Sequence, residues 1–280
     1  MRIALAACET LPELFKDDQI LAEALRRRGA EVTPLVWTRP EAQDACFDLC
    51  VLRCTWDYYL KPAEFLDWVE GMAQRSQLVN PLDLVRWNVH KDYLLHLAAR
   101  KVPSVPTFRV KQGKSMDIAT LGAATGWPEV VVKPAISAGA HRTARFQVGD
   151  PAAQAHLQAL AQDGDALIQP YLPGVEDPGE HSLVYIAGEF THAVKRTQAL
   201  TEGVGIDRLM ERIEPTEAEL EVARLVLEAL PAEPTYVRID LVPGLQGTPV
   251  VMEVEALEPR LFLQECPEAA EKLADALMSL

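Results

Sequence analysis

Tyr236-Val-Arg-Ile-Asp-Leu-Val242 and Pro249-Val-Val-Met-Glu-Val-Glu255 are two runs of apolar–polar alternation. Period two is the signature of a strand, so Val237, Ile239 and Leu241 share one face while Arg238 and Asp240 share the other. In the second run Val250, Met252 and Val254 alternate with Glu253 and Glu255. Pro243 to Thr248, with Gly244 and Gly247, is a turn, and a hairpin centred there sets Asp240 opposite Glu253 and Arg238 opposite Glu255. Carboxylates facing one another across a sheet repel, and Arg238 is a single cation among three acids. A divalent metal held by hard oxygen ligands would relieve that conflict. A solvated outer face rich in glutamate is the alternative reading.

If these acids hold a metal with phosphate, cations should be placed nearby. Val130-Val-Val-Lys133-Pro is a buried strand carrying a lysine, followed by the small-residue loop Ser137-Ala138-Gly139-Ala140-His141. Such a loop lets backbone N–H groups approach phosphate oxygens, with Lys133 as a point charge. G-x-x-x-x-G-K-[ST] is absent, so this is not a Walker loop. Lys91 falls in the first turn of a helix expected over Val89 to Arg100, capped by Asn88, where a cation opposes the helix dipole unless an anion binds. In the strand Phe190 to Arg196, the alternation lets Arg196 point inward while Lys195 points away.

The rest of the chain supplies a frame. Strands at Arg2 to Ala7, Glu31 to Trp37 and Asp48 to Arg53 alternate with helices at Asp17 to Arg28 and Lys61 to Gln74, a β-α-β order that implies a small parallel sheet. No G-x-G-x-x-G follows the first strand, which excludes a dinucleotide fingerprint there. Val102-Pro-Ser-Val-Pro106 is forced to be extended and reads as a linker. Thr216-Glu-Ala-Glu219 is a capping box opening a helix that runs to Leu230. Arg53, Thr55, Trp56 and Asp57 follow the carboxyl end of a strand, where open α/β sheets place ligands, and are read as a substrate wall; core packing by Trp56 and capping by Asp57 are the alternative.

The 280 residues include 27 Lys and Arg against 41 Asp and Glu, a formal charge of −14. That balance argues against a nucleic-acid partner, which needs clustered cations. The start has too short an apolar run for a signal peptide, and no stretch is long enough to span a bilayer, so a cytoplasmic protein without a membrane partner is expected. Cys46, Cys50 and Cys54 recur every four residues, but no histidine or cysteine completes a zinc pattern, and the thiols are expected to be reduced and structural.

In order, these features are a lysine before a proline-rich segment, V-V-V-K133-P with its loop, Ile168-Gln169-Pro-Tyr171-Leu172, Gly179-Glu180, Lys195-Arg196, R-I-D240 and M-E253-V-E255. The set resembles the ATP-grasp superfamily over nearly the whole chain. The resemblance implies an α/β (α+β) ATP-grasp fold with an N-terminal Rossmann-like pre-ATP-grasp domain. That domain would span residues 1–86, with the ATP-grasp domain over 87–280, divided into a nucleotide-clamping part (about 102–173) and a metal-binding part (174–280). It further implies that Lys91, Lys133 and Lys195 hold the phosphates of ATP, the Ser137, Ala138, Gly139 and His141 loop closes over them, and Gln169, Tyr171 and Leu172 line the adenine hinge. Glu180 would bind the ribose, with Glu176 as its rival. Asp240, Glu253 and Glu255 would carry two Mg²⁺ ions, and Arg196, Lys133 and Arg238 would serve the phosphoryl transfer.

Arg53-Cys-Thr-Trp-Asp-Tyr58, Glu64-Phe-Leu-Asp-Trp68, Arg86-Trp-Asn88, Thr191-His-Ala-Val-Lys195 and Leu257-Glu-Pro259 are similar to the branch containing O-ureido-serine cyclo-ligase. Two stretches depart from that branch: Thr197 to Arg208, and Arg260 where serine is expected. Arg260 joins the substrate residues on that basis. The implied activity is an ADP-forming carboxylate–amine ligase acting through an acyl phosphate on a small amino-acid-like substrate. Ring closure, intermolecular ligation by the same fold and a non-catalytic ATP-binding sensor stay open, as does a homodimer.

Overall fold

The computed structural model describes residues 1–197 and 209–280. Most of the Thr197 to Arg208 stretch therefore lies outside the described residues. Strands β1 (Arg2–Ala7), β2 (Glu31–Val36), β3 (Leu49–Cys54) and β4 (Gln77–Val79) form a parallel sheet in the order β2-β1-β3-β4. The crossovers are α1 (Lys16–Arg27), the single turn α2 (Pro40–Gln43) and α3 (Pro62–Arg75). A parallel sheet needs cover on both faces. Leu21 and Leu25 of α1 pack on one face, and Phe65, Val69 and Met72 of α3 on the other.

Two short helices follow, α4 (Leu82–Val89) and α5 (Tyr93–Ala99), where the sequence suggested one over Val89 to Arg100. The break arises because the chain turns aside for long-range bonds. Asn88 caps nothing: its amide donates to Val254 O (2.7 Å) and accepts from Ala256 N (2.8 Å) and Leu257 N (3.0 Å). The Lys91 N–H donates to Ala135 O at 2.8 Å, so this lysine stands between the helices and not in a first turn.

A second sheet, ordered β5-β8-β6-β7, contains β5 (Phe108–Val110), β6 (Glu129–Pro134), β7 (Ala144–Gln147) and β8 (Ala166–Pro170). It is backed by α6 (Ile118–Thr125) and α7 (Pro151–Asp163), and its core includes Val130, Val132, Leu157 and Ile168. The largest sheet is antiparallel in the order β11-β10-β9-β12-β13, built from β9 (Glu180–Ile186), β10 (Glu189–Thr197), β11 (Leu209–Ile213), β12 (Tyr236–Pro243) and β13 (Pro249–Glu255). One of its faces is covered by α8 (Glu217–Ala229), which opens with the Thr216–Glu219 capping box. The C-terminal helix α9 (Pro267–Met278) packs on α1 and shares a core with β1, β3, β9 and β12.

The proline-rich segment is extended, as its prolines require, but it is not a free linker. Val105 N donates to Val251 O and Val251 N to Pro103 O, both at 2.9 Å, which pins the segment to the edge of β13. Val102 and Val105 are buried there.

Candidate active site

The β12–β13 hairpin has the register its alternation suggests. Arg238 pairs with Glu255 and Asp240 with Glu253, and a bulge after Asp240 twists the strand end. Carboxylate oxygens of Asp240, Glu253 and Glu255 lie within 4.8 Å of one another. Asp240 is wholly buried, and its oxygens accept from Ser182 Oγ (2.7 Å), Arg238 Nε and Nη2 (both 2.8 Å) and Arg196 Nη2 (3.0 Å). Glu255 pairs with Arg238 Nη2 at 2.5 Å, and Glu253 pairs with Lys91 Nζ. Arg196 also pairs with Glu180 and donates from Nε to Ser182 Oγ at 2.9 Å. Each acid of the face thus has a cation from a neighbouring strand or from the α4–α5 junction.

The pairing is uneven in its effect. Burial would raise Asp240, but Arg238 and Arg196 outweigh it and hold the carboxyl below its usual value. Burial acts the same way on Glu253, and Lys91 and Lys133 reverse it. Glu255 is pushed up to about 7 by burial, only partly countered by Arg238, with Glu253 and Asp240 adding repulsion. Glu180 is likewise pushed up to about 7 by burial, only partly countered by Arg196. The face binds its protons reluctantly at one end and readily at the other, the condition in which an added divalent ion would stabilise the ionised forms.

Lys133, on β6, differs from these cations. It is buried and, among the described residues, makes no ion pair. Burial lowers its ammonium to about 8, with Glu253 opposing and Lys91 adding to the shift. Gly139, Ala140 and Arg142 in the following loop have φ of 59°, 57° and 53°, so the chain coils tightly with Ser137 buried below. At the tip, the His141 ring lies 4.7 Å from that of Tyr59. The loop of the second sheet therefore reaches over to the N-terminal sheet.

Beyond β8, the Tyr171 N–H donates to Glu129 O at 3.1 Å, so a ligand can meet the Tyr171 backbone only through its carbonyl. The Arg145 guanidinium stacks 3.4 Å above the Tyr171 ring, and Glu176 pairs with Arg145 (3.1 Å) and accepts from the Tyr171 hydroxyl. Leu172 is buried, and Gln169 Nε2 donates to Thr107 Oγ1 at 2.9 Å. Glu180 is thus tied to the acidic face and Glu176 to the hinge. Gly179, between them, has φ +109°, and a Cβ there would meet Arg196 O at 2.7 Å, so only glycine lets β9 and β10 close together at this point.

The family described as D-cycloserine synthetase DcsG, N-terminal domain, matches residues 3–80. The cycloserine biosynthesis protein DcsG of Streptomyces lavendulae is 29% identical over 272 residues, covering 92% of this chain and 91% of that protein. The RimK domain ATP-grasp protein of Sphaerobacter thermophilus shares the fold, with a TM-score of 0.74 at 20% identity over 99% of each chain. A crystal structure of D-cycloserine synthetase DcsG matches with a TM-score of 0.90 at 29% identity, over 100% of this chain and 99% of that one. The chain has the ATP-grasp fold of these ligases.

In the ligase, Lys91, Arg196, Glu180, Arg238, Asp240, Glu253 and Glu255 come together, and Lys133 lies close enough to act on Glu253. Lys195 does not join them. It pairs in register with His181 while Arg196 pairs with Glu180, which puts it on the face covered by α8. Asp57 also lies elsewhere, its carboxylate accepting from Trp37 Nε1 at 2.7 Å. Arg53, Trp56 and Arg260 do gather, around the backbone of residues 258–260: Arg53 Nη2 donates to Pro259 O (2.8 Å) and Trp56 Nε1 to Glu258 O (3.0 Å), while Thr55 is buried with its hydroxyl unpaired. Arg53 is buried and ion-paired with Asp18 at 2.7 Å.

Three residues at the site escaped the sequence reading. Ser182 sits between Asp240 and Arg196. Glu258 is a buried carboxyl pushed up to about 8, first by burial and then by Glu255. Phe262, held at φ 51°, has the guanidinium carbons of Arg196, Arg238 and Arg260 at 5.6, 5.6 and 5.1 Å from its ring centre. The first could have been found from its shared strand face with Glu180; an apolar residue like Phe262 carries no such signal. All five cysteines are free, and Cys8, Cys50, Cys54 and Cys266 are buried. No helix among the described residues is long and apolar enough to cross a membrane.

Proposed function

We propose that the ligase couples cleavage of ATP to ADP and phosphate with C–N bond formation at the carboxylate of a small amino-acid-like molecule, by ring closure as the likeness to D-cycloserine synthetase suggests. The observation that carries this reading is the convergence of three carboxylates within 4.8 Å beside Lys91 and Lys133. Three acidic oxygens at that spacing suit hard octahedral ions, which leave positions for phosphate oxygens. Asp240, Glu253 and Glu255 would hold Mg²⁺, two ions if all three acids are shared. The metal would neutralise charge on the transferring phosphoryl group of ATP.

The remaining work falls to the chain. Lys91, released from Glu253, and Lys133 bind the phosphates, the Ser137–His141 loop covers them, and Leu172 and the Tyr171 carbonyl face the base. Either Glu180 or Glu176 takes the ribose. Arg196 and Arg238, braced by Asp240 and Phe262, hold the γ-phosphate and the substrate carboxylate in line. Transfer gives an acyl phosphate and ADP; attack by the substrate nitrogen then expels phosphate. A screen for ADP release with Mg²⁺-ATP and amino-acid derivatives, run with hydroxylamine present, tests this. A hydroxamate of the active substrate is expected, and ADP formation without a trappable acyl group would overturn the mechanism.

A further inference from the structure

Residues 88–93 cross from one sheet to the other. Both ends of the crossing are tied to β13: Asn88 bonds to the backbone of residues 254–257, and Val254 N donates to Tyr93 Oη at 3.1 Å. The three residues between them are tied to the small sheet. The Lys91 N–H donates to Ala135 O, and Ala135 N to Asp165 O, both at 2.8 Å. Asp92 pairs through Oδ2 with Arg109 of β5. His90 stands between two acids, its Nδ1 2.9 Å from Asp92 Oδ1 and its Nε2 3.5 Å from Asp165 Oδ2. Arg109 Nε lies 3.8 Å from that same Asp165 oxygen, and Asp165 Oδ1 accepts from Gln112 N at 2.8 Å.

This cluster of one histidine, one arginine and two aspartates stands apart from the acidic face, and the phosphoryl transfer proposed above uses none of it. A single partly exposed ion pair contributes little to stability. Here His90 and Asp92 are both engaged by the small sheet, one on either side of Lys91, which fixes geometry more than it adds free energy. The backbone of Lys91 is thus held by the small sheet while its ammonium reaches Glu253 on the large one. Ala135, its backbone partner, is two residues beyond Lys133. The two lysines are near enough for Lys91 to help lower the Lys133 ammonium. Their spacing is therefore set where residues 90–92 meet the small sheet, before any phosphate arrives.

We infer that Arg109 is a positioning residue for phosphate binding: through Asp92, with His90 and Asp165 completing the cluster, it holds residues 90–92 against the small sheet, so that the Lys91 and Lys133 ammonium groups meet the phosphates of ATP at one fixed spacing. The inference rests on the reading of Lys91 and Lys133 as the phosphate-binding cations. When Lys91 leaves Glu253 for a phosphate, its side chain turns about a backbone that stays in place. The segment then needs no ordering at the moment of binding, which preserves affinity.

The test compares Arg109→Gln and Arg109→Lys with the wild-type full chain. Binding of Mg²⁺-ATP is measured by titration calorimetry, and amide hydrogen exchange is followed residue by residue without nucleotide. In Arg109→Gln the Lys91 amide should exchange at least about fivefold faster, while those of Ala256 and Leu257, held by Asn88, keep their protection. ATP affinity should fall by about the same fivefold factor, as the fraction of chains holding Lys91 in place falls, and Arg109→Lys should restore it to within about twofold. Asp92→Asn, which removes the charge that Arg109 holds, should reproduce Arg109→Gln. Unchanged ATP affinity in Arg109→Gln and Asp92→Asn, unchanged exchange at Lys91, or loss of protection at Lys91 and Ala256 together would overturn the positioning role. If the wild-type chain does not bind Mg²⁺-ATP, the phosphate-binding reading falls, and the exchange at Lys91 alone decides whether Arg109 holds the segment.

Discussion

The acidic face of the large sheet and the lysine of the small sheet solve opposite problems. On β12 and β13 every buried carboxylate has a cation in contact, and the charges nearly cancel within one layer of side chains. On β6, Lys133 is buried as deeply, yet among the described residues it forms no ion pair, and burial drops its ammonium to about 8. The first region is stable as it stands and has to exchange partners to bind a ligand; the second carries a standing cost that an anion would remove. The two sheets are complementary through what each lacks.

Breaking the first region should have the largest effect. Asp240→Asn removes the charge that neutralises two buried guanidinium groups, with an expected loss of about 3–5 kcal/mol in denaturant unfolding. ADP formation should fall about a thousandfold, because ligands of a phosphoryl-transfer metal act in the transition state. ADP release near the wild-type rate in a folded variant would remove the metal assignment.

Lys133→Met should separate binding from stability. The affinity for ATP is expected to drop about 10- to 100-fold by calorimetry, while unfolding free energy at neutral pH holds or rises, since an unpaired buried cation is replaced by an apolar chain of similar length. The pH dependence has a definite sign. With a folded value of about 8 against 10.5 for the free side chain, the unfolded state binds this proton more tightly. Wild-type stability should therefore climb relative to Lys133→Met as pH rises through that interval, and flat difference curves from urea melts would contradict the buried, unpaired lysine.

The smallest effect is expected at Lys195, on the α8 side of the sheet. Lys195→Ala should change ATP affinity by less than about twofold, as for a surface substitution. A tenfold loss would mean that this lysine reaches the phosphates despite its strand face.

The sequence made the hairpin legible because alternation, a turn and three acids coincide within 20 residues, and pairing across a short turn leaves little freedom of register. The same local rules placed β1, β9, β10 and the α8 cap. They failed where the decisive partner is distant. Asn88 looks like a helix cap until β13 is beside it, and the Pro103–Pro106 stretch looks like a linker until its backbone meets Val251. Lys195 and Arg196 were both plausible phosphate ligands as residue types, and the side of the sheet facing α8 separates them.

Two asparagines join the halves of the molecule in a way that bears on how it comes apart. Asn80 donates to Tyr236 O (2.7 Å) and Ala256 O (2.8 Å) and accepts from Thr235 N (2.6 Å), and Asn88 makes three bonds to the backbone of residues 254–257. Side-chain amides here do what a further strand would do at the end of β12 and β13, satisfying peptide groups that would otherwise be buried and bare. The β12–β13 hairpin is thus finished by residues from much earlier in the chain. Proteolytic fragments ending near residue 80 would leave that hairpin with its peptide groups open, so the molecule should lose its two ends in a single cooperative event.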